Sequence, residues 1–564
     1  MGKHNGAALA LLVATLSSHS ALAAPLQVAV AGCPGAAVAG FVGDYPRNTT
    51  GDAAPGAMRQ FLGIRYAKPP TGADRWQPPQ PYCWKGVRAA KEFSNVCPQR
   101  SGGFFNGQED CLALNIYTPP TGSYSNLPVM VYFHDGSFIS GKSSFWAQNP
   151  VDLVQQKVIV VTLNYRLGAL GFLAHPKLDN KATRNTGNYG FLDQQEALRW
   201  VRKNIAPFGG DPNNVTIFGS NAGGISVMIH LVSPLSLGLF DKAIVQTGSL
   251  YQRPFPLLEA EQWGLKFGAS VSCDTAACLR ALPLNTILAN QKVIERGDIE
   301  NLRIDGVVLP DSLMNLLMAG KFQKVPIING TNRDDSGQIH ENQVVGTGSR
   351  CDYVSNIVPN GKDKFPGAIS YHDALINLLG PTSRLRPLVE QEYNAGSTGL
   401  SATLAYRDLK TDLRGACRAL RVNDWIAQGG GELYAYEFND RKAPNFLTAA
   451  FRTHDGSLLP LGAYLGSESQ YLFRMPPKVL CEQHYPGKST AQKALAKAMV
   501  VYWTNFAKAG DPNPDRPGAP PVWPRFTTTK RQMMSLDAPT PRAIPAATFD
   551  GRHRCTSFWN EHLE

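Results

Sequence analysis

Short runs rich in β-branched and aromatic residues recur along the chain, and between two of them lies a helical pattern. Val129–Phe133, Val158–Leu163, Val215–Phe218, Lys242–Gln246, Pro326–Ile328 and Leu433–Phe438 read as buried strands. They are nearly continuous in apolar character, as strands covered on both faces must be. Asp193–Ile205 carries Leu198, Val201 and Ile205 on one helical face, and Gly209-Gly210-Asp211-Pro212 bars that helix from continuing. Strand, helix and strand in this order predict an α/β architecture: a central, mostly parallel, twisted sheet flanked by helices. No period of about 20 to 50 residues recurs, which excludes solenoids and propellers. The proline-rich stretch Gly510–Pro524 has the composition of a linker, but Trp523 and Phe526 argue for a loop packed on the body. The expectation is one domain over residues 24–564.

Composition narrows the class. Of 564 residues, 43% are hydrophobic and 18% charged, which excludes a disordered or coiled-coil chain. The net charge of +11 is spread along the length without a block of like charges, so no nucleic-acid partner is expected. Lys3 and His4, the apolar run Ala7–Leu16 and the Ala21-Leu22-Ala23 site read as a signal peptide over residues 1–23. That run is too short to cross a bilayer and no later run reaches about 18 apolar residues, so no transmembrane segment is expected. Thr556–Glu564 is polar and carries no anchor signal. The expectation is a soluble protein, secreted or periplasmic. Its ten cysteines then read as disulfides, with Cys97–Cys111 and Cys273–Cys278 as local loops. A structural zinc is the competing reading, but no C-x-x-C or H-x-x-x-H accompanies the cysteines, so neither metal nor cofactor is expected.

The chemistry belongs where a strand meets a helix through a glycine-rich turn. Val215-Thr216-Ile217-Phe218-Gly219-Ser220-Asn221-Ala222-Gly223-Gly224 has that layout. Other blocks follow in order: Glu109-Asp110-Cys111-Leu112 before Asn115, Leu163–Gly168, Gly187–Gln195, Asp305–Pro310 and Trp503–Phe506. Together, from roughly Met58 to Ala546, the chain resembles a type-B carboxylesterase, the cholinesterase-like branch of the α/β-hydrolase fold. The resemblance implies ester hydrolysis by a serine, a histidine that takes its proton and a carboxylate that orients the histidine. It also places Cys97 and Cys111 in a loop of the family, Asn95-Val96-Cys97 followed by Glu109-Asp110-Cys111.

Two of the three residues are replaced. The family's G-x-S-x-G aligns on Gly219 and Gly223, which puts Asn221 at the serine position. Asparagine tolerates positive φ but has no hydroxyl. The family's G-A-x-H-x-x-E appears as Gly462-Ala463-Tyr464-Leu465-Gly466-Ser467-Glu468, so Leu465 holds the histidine position and can move no proton. The acid segment N-x-D-E-G appears as Asn332-Arg333-Asp334-Asp335-Ser336 and places Asp335 at the acid position; a solvated loop carboxylate is the competing reading. The oxyanion segment H-G-G-G-F appears as His134-Asp135-Gly136-Ser137-Phe138. Its donors, the backbone N–H groups of Gly136, Ser137 and Ala222, survive side-chain changes.

Two rescues would restore a site: Ser220 as nucleophile and His454 as base. A one-residue shift at a tight turn redirects the side chain, and a lone loop histidine is more often a surface residue. The further departures at Asp135, Ser137, Ser220 and Ser336 set the change apart from a single lost residue. The leading reading is an exported pseudo-hydrolase that binds a small ester or hydrophobic ligand. The rivals are an active carboxylic-ester hydrolase with a rearranged site and a structural protein with a protein partner.

Overall fold

The computed structural model describes residues 26–43, 57–101, 104–120, 124–145, 149–178, 187–249, 255–293, 302–337, 344–346, 352–355, 357–358, 369–396, 399–445, 450–452, 458–476 and 486–560. The signal-peptide segment, His454, Cys351 and Cys481 lie outside them.

A 13-stranded sheet runs through the molecule. Its strands are β1 (Leu26–Ala29), β2 (Ala36–Gly43), β3 (Met58–Arg65), β4 (Gly86–Ala89), β5 (Ala113–Thr118), β6 (Leu127–Phe133) and β7 (Ile159–Leu163). They continue as β8 (Gly210–Ser220), β9 (Lys242–Gln246), β10 (Ile327–Asn332), β11 (Leu433–Phe438), β12 (Gln532–Leu536) and β13 (Arg542–Pro545). The spatial order is β1-β2-β3-β5-β7-β6-β8-β9-β10-β11-β12-β13, with β4 beside β2. Every neighbouring pair from β7 to β12 is parallel. The strands at the two ends pair antiparallel, apart from β4 on β2.

The central strands are apolar on both faces because both are covered. Val129, Val131, Phe133, Ile217, Val245 and Ala435 enter one core, while Met130, Tyr132, Phe218, Ile244, Tyr434 and Tyr436 enter the other. This alternation is the pleat of the strand, read in opposite layers. Helix α1 (Tyr189–Asn204) buries Leu198 and Val201 and begins at Tyr189 rather than Asp193. Asp193 is not a helix-start residue: its carboxylate holds Arg166 in a buried ion pair at 2.7 Å. Tyr189, Phe191 and Leu192 join the core in its place. Helix α2 (Ala222–Val232) follows β8, and α3 (Cys417–Gln428) and α4 (Thr490–Ala509) lie on opposite layers. A Ser489/Gln492 capping box starts α4, and Gly510 at φ 78° ends it. Beyond it the proline-rich stretch packs on the body, with Trp523 and Phe526 buried.

Cys97–Cys111 and Cys273–Cys278 are bonded, and so are Cys33–Cys83 and Cys417–Cys555. In the chain-entropy model, a loop the size of Cys97–Cys111 is worth about 3 kcal/mol. Among the described residues, no helix is long and apolar enough to cross a membrane.

Candidate active site

Between β8 and α2 the chain turns at Asn221 with φ 51° and ψ −117°, a region that side chains avoid and that strained functional turns retain. Its neighbours dictate that turn. A Cβ on Gly223 would lie 2.0 Å from the Phe133 carbonyl oxygen, and one on Gly219 2.6 Å from the Gly223 carbonyl carbon. The Asn221 N–H donates to the Gln246 carbonyl at 3.0 Å, and the Ile225 N–H donates to the Asn221 carbonyl at 2.8 Å. The apex side chain takes no part in any of this, so the elbow stands whether or not it carries a hydroxyl. Asn221 itself is 8% exposed. Ser220, one residue earlier, is buried, and its Oγ donates to Glu468 Oε1 at 2.9 Å.

The loop after β6 lies against the start of α2. Gly136 takes φ 111°, and a Cβ there would come 2.2 Å from the Ser140 carbonyl oxygen, so a side chain cannot be accommodated. Ser137 and Phe138 also have positive φ. No backbone acceptor among the described residues takes the N–H groups of Gly136, Ser137 or Ala222. Ala222 opens α2, where a free N–H is the rule. His134 stacks on Tyr165, with ring centroids 4.4 Å apart, and its Nδ1 lies 2.7 Å from the Asp135 carbonyl oxygen. Burial lowers its pKa to about 4, so the ring is neutral. A carbonyl can only accept, so Nδ1 carries the proton and Nε2 is an acceptor; it has no partner. Asp135 keeps an exposed side chain although protein surrounds it at depth. Desolvation, and then the Glu468 charge, push its pKa up to about 6.

Asp334 and Asp335, adjacent in sequence, differ completely. Asp334 pairs with Arg441 at 2.9 Å and Arg407 at 3.3 Å, and its Oδ2 accepts the Ala463 N–H at 2.9 Å. It thereby anchors the loop that carries Leu465. Asp335 is 4% exposed, which corrects the solvated-loop reading. Its carbonyl accepts the Leu465 N–H at 3.0 Å, so the acid and histidine positions are neighbours. Its side-chain Oδ1 has no hydrogen-bond partner among the described residues. Burial first, then the Glu468 charge, raise its pKa well above the usual carboxylate range, against the pull of His553 and Lys410.

Sequence reasoning assigned no role to Glu468, which proves central. It is fully buried, accepts from Ser220, from Gln246 Nε2 at 3.4 Å and from Asn332 Nδ2 at 2.6 Å, and so joins the ends of β8, β9 and β10. These donors are all neutral. Also unforeseen is His553, whose Nδ1 and Nε2 face Asp412 and Glu437 at 2.6 and 3.0 Å. Two carboxylates require both nitrogens to donate. Against the desolvation that would lower it, they raise the pKa to about 9. The only signal for either residue was position beside a family motif or a cysteine; their partners lie far away in sequence.

A mostly parallel twisted sheet, a tight elbow after β8 and a donor loop after β6 define the α/β-hydrolase class. Residues 40–555 match the model of the Carboxylesterase family, and the chain belongs to that family. It is 31% identical over 534 residues to carboxylesterase 3 of Pongo abelii, covering 89% of this chain and 86% of that protein. It is 30% identical over 536 residues to carboxylesterase 3 of Homo sapiens, with the same shares covered.

Proposed function

We propose that this chain is an exported, single-domain member of the carboxylesterase family that no longer hydrolyses esters and uses the old site to hold a small ligand. Asn221 stands at the serine position, Leu465 at the histidine position and Asp335 at the acid position, with Gly136, Ser137 and Ala222 as oxyanion donors. The observation that carries the reading is that Leu465 meets Asp335 through a backbone hydrogen bond and that, among the described residues, the carboxyl Oδ1 has no imidazole or other donor of the kind a triad needs. The rival hydrolase needs Ser220 as nucleophile, but that hydroxyl is buried and committed to Glu468. In a serine protease series, loss of the nucleophile or the histidine alone cost about 10⁶-fold in rate. Four disulfides suit an oxidising compartment and support secretion or a periplasmic location. The test is labelling by a fluorophosphonate probe under conditions that label an active serine esterase completely. No labelling is expected; stoichiometric labelling, mapped to any serine of the site, overturns the proposal.

A further inference from the structure

We propose that His553 pins an alkali-sensitive latch: protonated, it fastens the C-terminal helix both to β11 and to the turn that seats Asp335, and on losing its proton it releases them together. The helix is α5 (Ala546–His553), and His553, its last residue, is buried. Its two carboxylate partners come from different parts of the fold. Glu437 belongs to β11, and Asp412 to Thr411–Ala416, a π-helical turn that runs straight into α3. Such turns interrupt the regular helical ladder and recur at functional places. A neutral imidazole has one N–H and one lone pair, so it can serve only one of the two carboxylates. The other would then face a lone pair at hydrogen-bond distance, away from water.

A second set of contacts ties this cluster to the acid position. Thr411 Oγ1 accepts the Ser336 N–H at 3.0 Å, and a Cβ on Gly415 would lie 3.0 Å from Asp335 Oδ2. One turn of chain thus touches the acid loop at Thr411 and at Gly415, and holds His553 through Asp412. The His553 charge is also felt at Asp335, whose pKa it pulls down against burial and Glu468. The Cys417–Cys555 disulfide tethers the end of α5 to the start of α3, so release loosens the helix without letting it leave.

The other charged groups of the surrounding elements have their own partners. Arg552 pairs with Glu437, Arg554 reaches Asp412 at 3.3 Å and Glu392 at 2.8 Å, and Tyr393 donates to Asp412 at 2.7 Å. On α3, Arg418 donates to the Leu413 carbonyl, Arg421 donates to Asn560 and Asp424 pairs with Arg531. Arg542 of β13 is exposed. Against burial, which lowers it, Asp412 and then Glu437 hold the His553 pKa up at about 9, compared with about 6.5 in an unfolded chain. The latch is therefore fully fastened below about pH 6.5 and is lost as pH rises through about 9.

The experiment is hydrogen exchange of the intact protein, read by mass spectrometry between about pH 7 and about pH 10 and corrected for the intrinsic rise of exchange with pH. Residues 411–416, 546–553 and 333–337 are expected to lose protection together, by at least about tenfold, while β6 and β7 keep theirs within about twofold. His553→Gln is neutral at every pH, so the same three segments should be open already at neutral pH and change little above it. His372→Gln, which alters an exposed histidine paired with Glu390, should behave as the parent does. Equal protection of the three segments at both ends of the range overturns the proposal. So does a loss shared evenly by β6 and β7, a loss confined to 546–553, or an alkaline loss in His553→Gln as large as the parent's. Should His553→Gln not fold, the midpoint of the parent's loss decides. A midpoint near 9 supports the latch; one above about 10, where tyrosine and lysine titrate, overturns it.

Discussion

At the elbow, on the reading proposed above, the Asn221 side chain bears none of the geometry, because Gly219, Gly223 and the backbone of Gln246 hold the turn. At the acid loop the proposed replacement of a histidine by Leu465 acts through the side chain: Leu465 meets Asp335 by its backbone N–H, and Asp335 Oδ1 has no partner among the described residues. Strain enforced by close backbone packing outlives the chemistry it served, whereas a hydrogen bond does not outlive its donor. The two regions therefore carry opposite debts, one in backbone conformation and one in buried charge.

Asp334 and Asp335 give the sharpest way to break that contrast. Asp334→Ala should destabilise the protein by about 3 kcal/mol, since it removes a buried partner of Arg407 and frees the Leu465 loop. Chemical denaturation reads it, and a change under about 0.5 kcal/mol would deny Asp334 its anchoring role. Asp335→Asn should instead stabilise by about 1–2 kcal/mol, because an unpaired buried carboxyl is replaced by a group that cannot ionise. The sign of the pH dependence follows from the raised native pKa. The folded state holds the Asp335 proton more tightly than the unfolded chain, so the contribution is intact below about pH 4 and is lost as pH rises. The gain from Asp335→Asn should accordingly be small at pH 4 and full at neutral pH. Equal gains at both would show that Asp335 does not titrate in the folded protein.

The elbow's debt is smaller. Asn221→Gly should stabilise by about 1 kcal/mol, the relief of φ 51° and ψ −117° less the added freedom of the unfolded chain. A loss of stability would mean that the Asn221 side chain contributes contacts that outweigh the strain.

Much of the scaffold was legible because buried parallel strands are written as continuous apolar runs. Lys242–Gln246 and Leu433–Phe438 match β9 and β11 residue for residue. The antiparallel strands β2 and β3 were not picked out: Gly40 and Gly63 interrupt their pattern, and both are needed where backbone approaches closely. Motif positions singled out Asn221, Leu465 and Asp335 as candidates, but their surroundings were out of reach. Glu468 meets Ser220 across 248 residues of sequence, and His553 meets Asp412 across 141. Nothing local distinguishes Asp334, paired with two arginines, from Asp335, whose Oδ1 has no hydrogen-bond partner among the described residues. That difference is made by Arg407, Arg441 and the Ala463 N–H, which the fold brings in from elsewhere. The Cys33–Cys83 and Cys417–Cys555 bonds close over separations of 50 and 138 residues, beyond what spacing can rank.

The central claim, that the site is intact in backbone and deficient in two side chains, is tested most directly by putting those side chains back. The parent, Asn221→Ser, Leu465→His and the double variant are assayed together on one activated p-nitrophenyl ester at neutral pH. The account predicts an inactive parent, little from either single change and at least about 10³-fold more turnover from the double, since nucleophile and base act as a unit. Asp335→Ala added to the double should depress that activity, because the new imidazole loses its orienting carboxylate. A parent as active as the double variant, or a folded double variant with no turnover, would contradict the account.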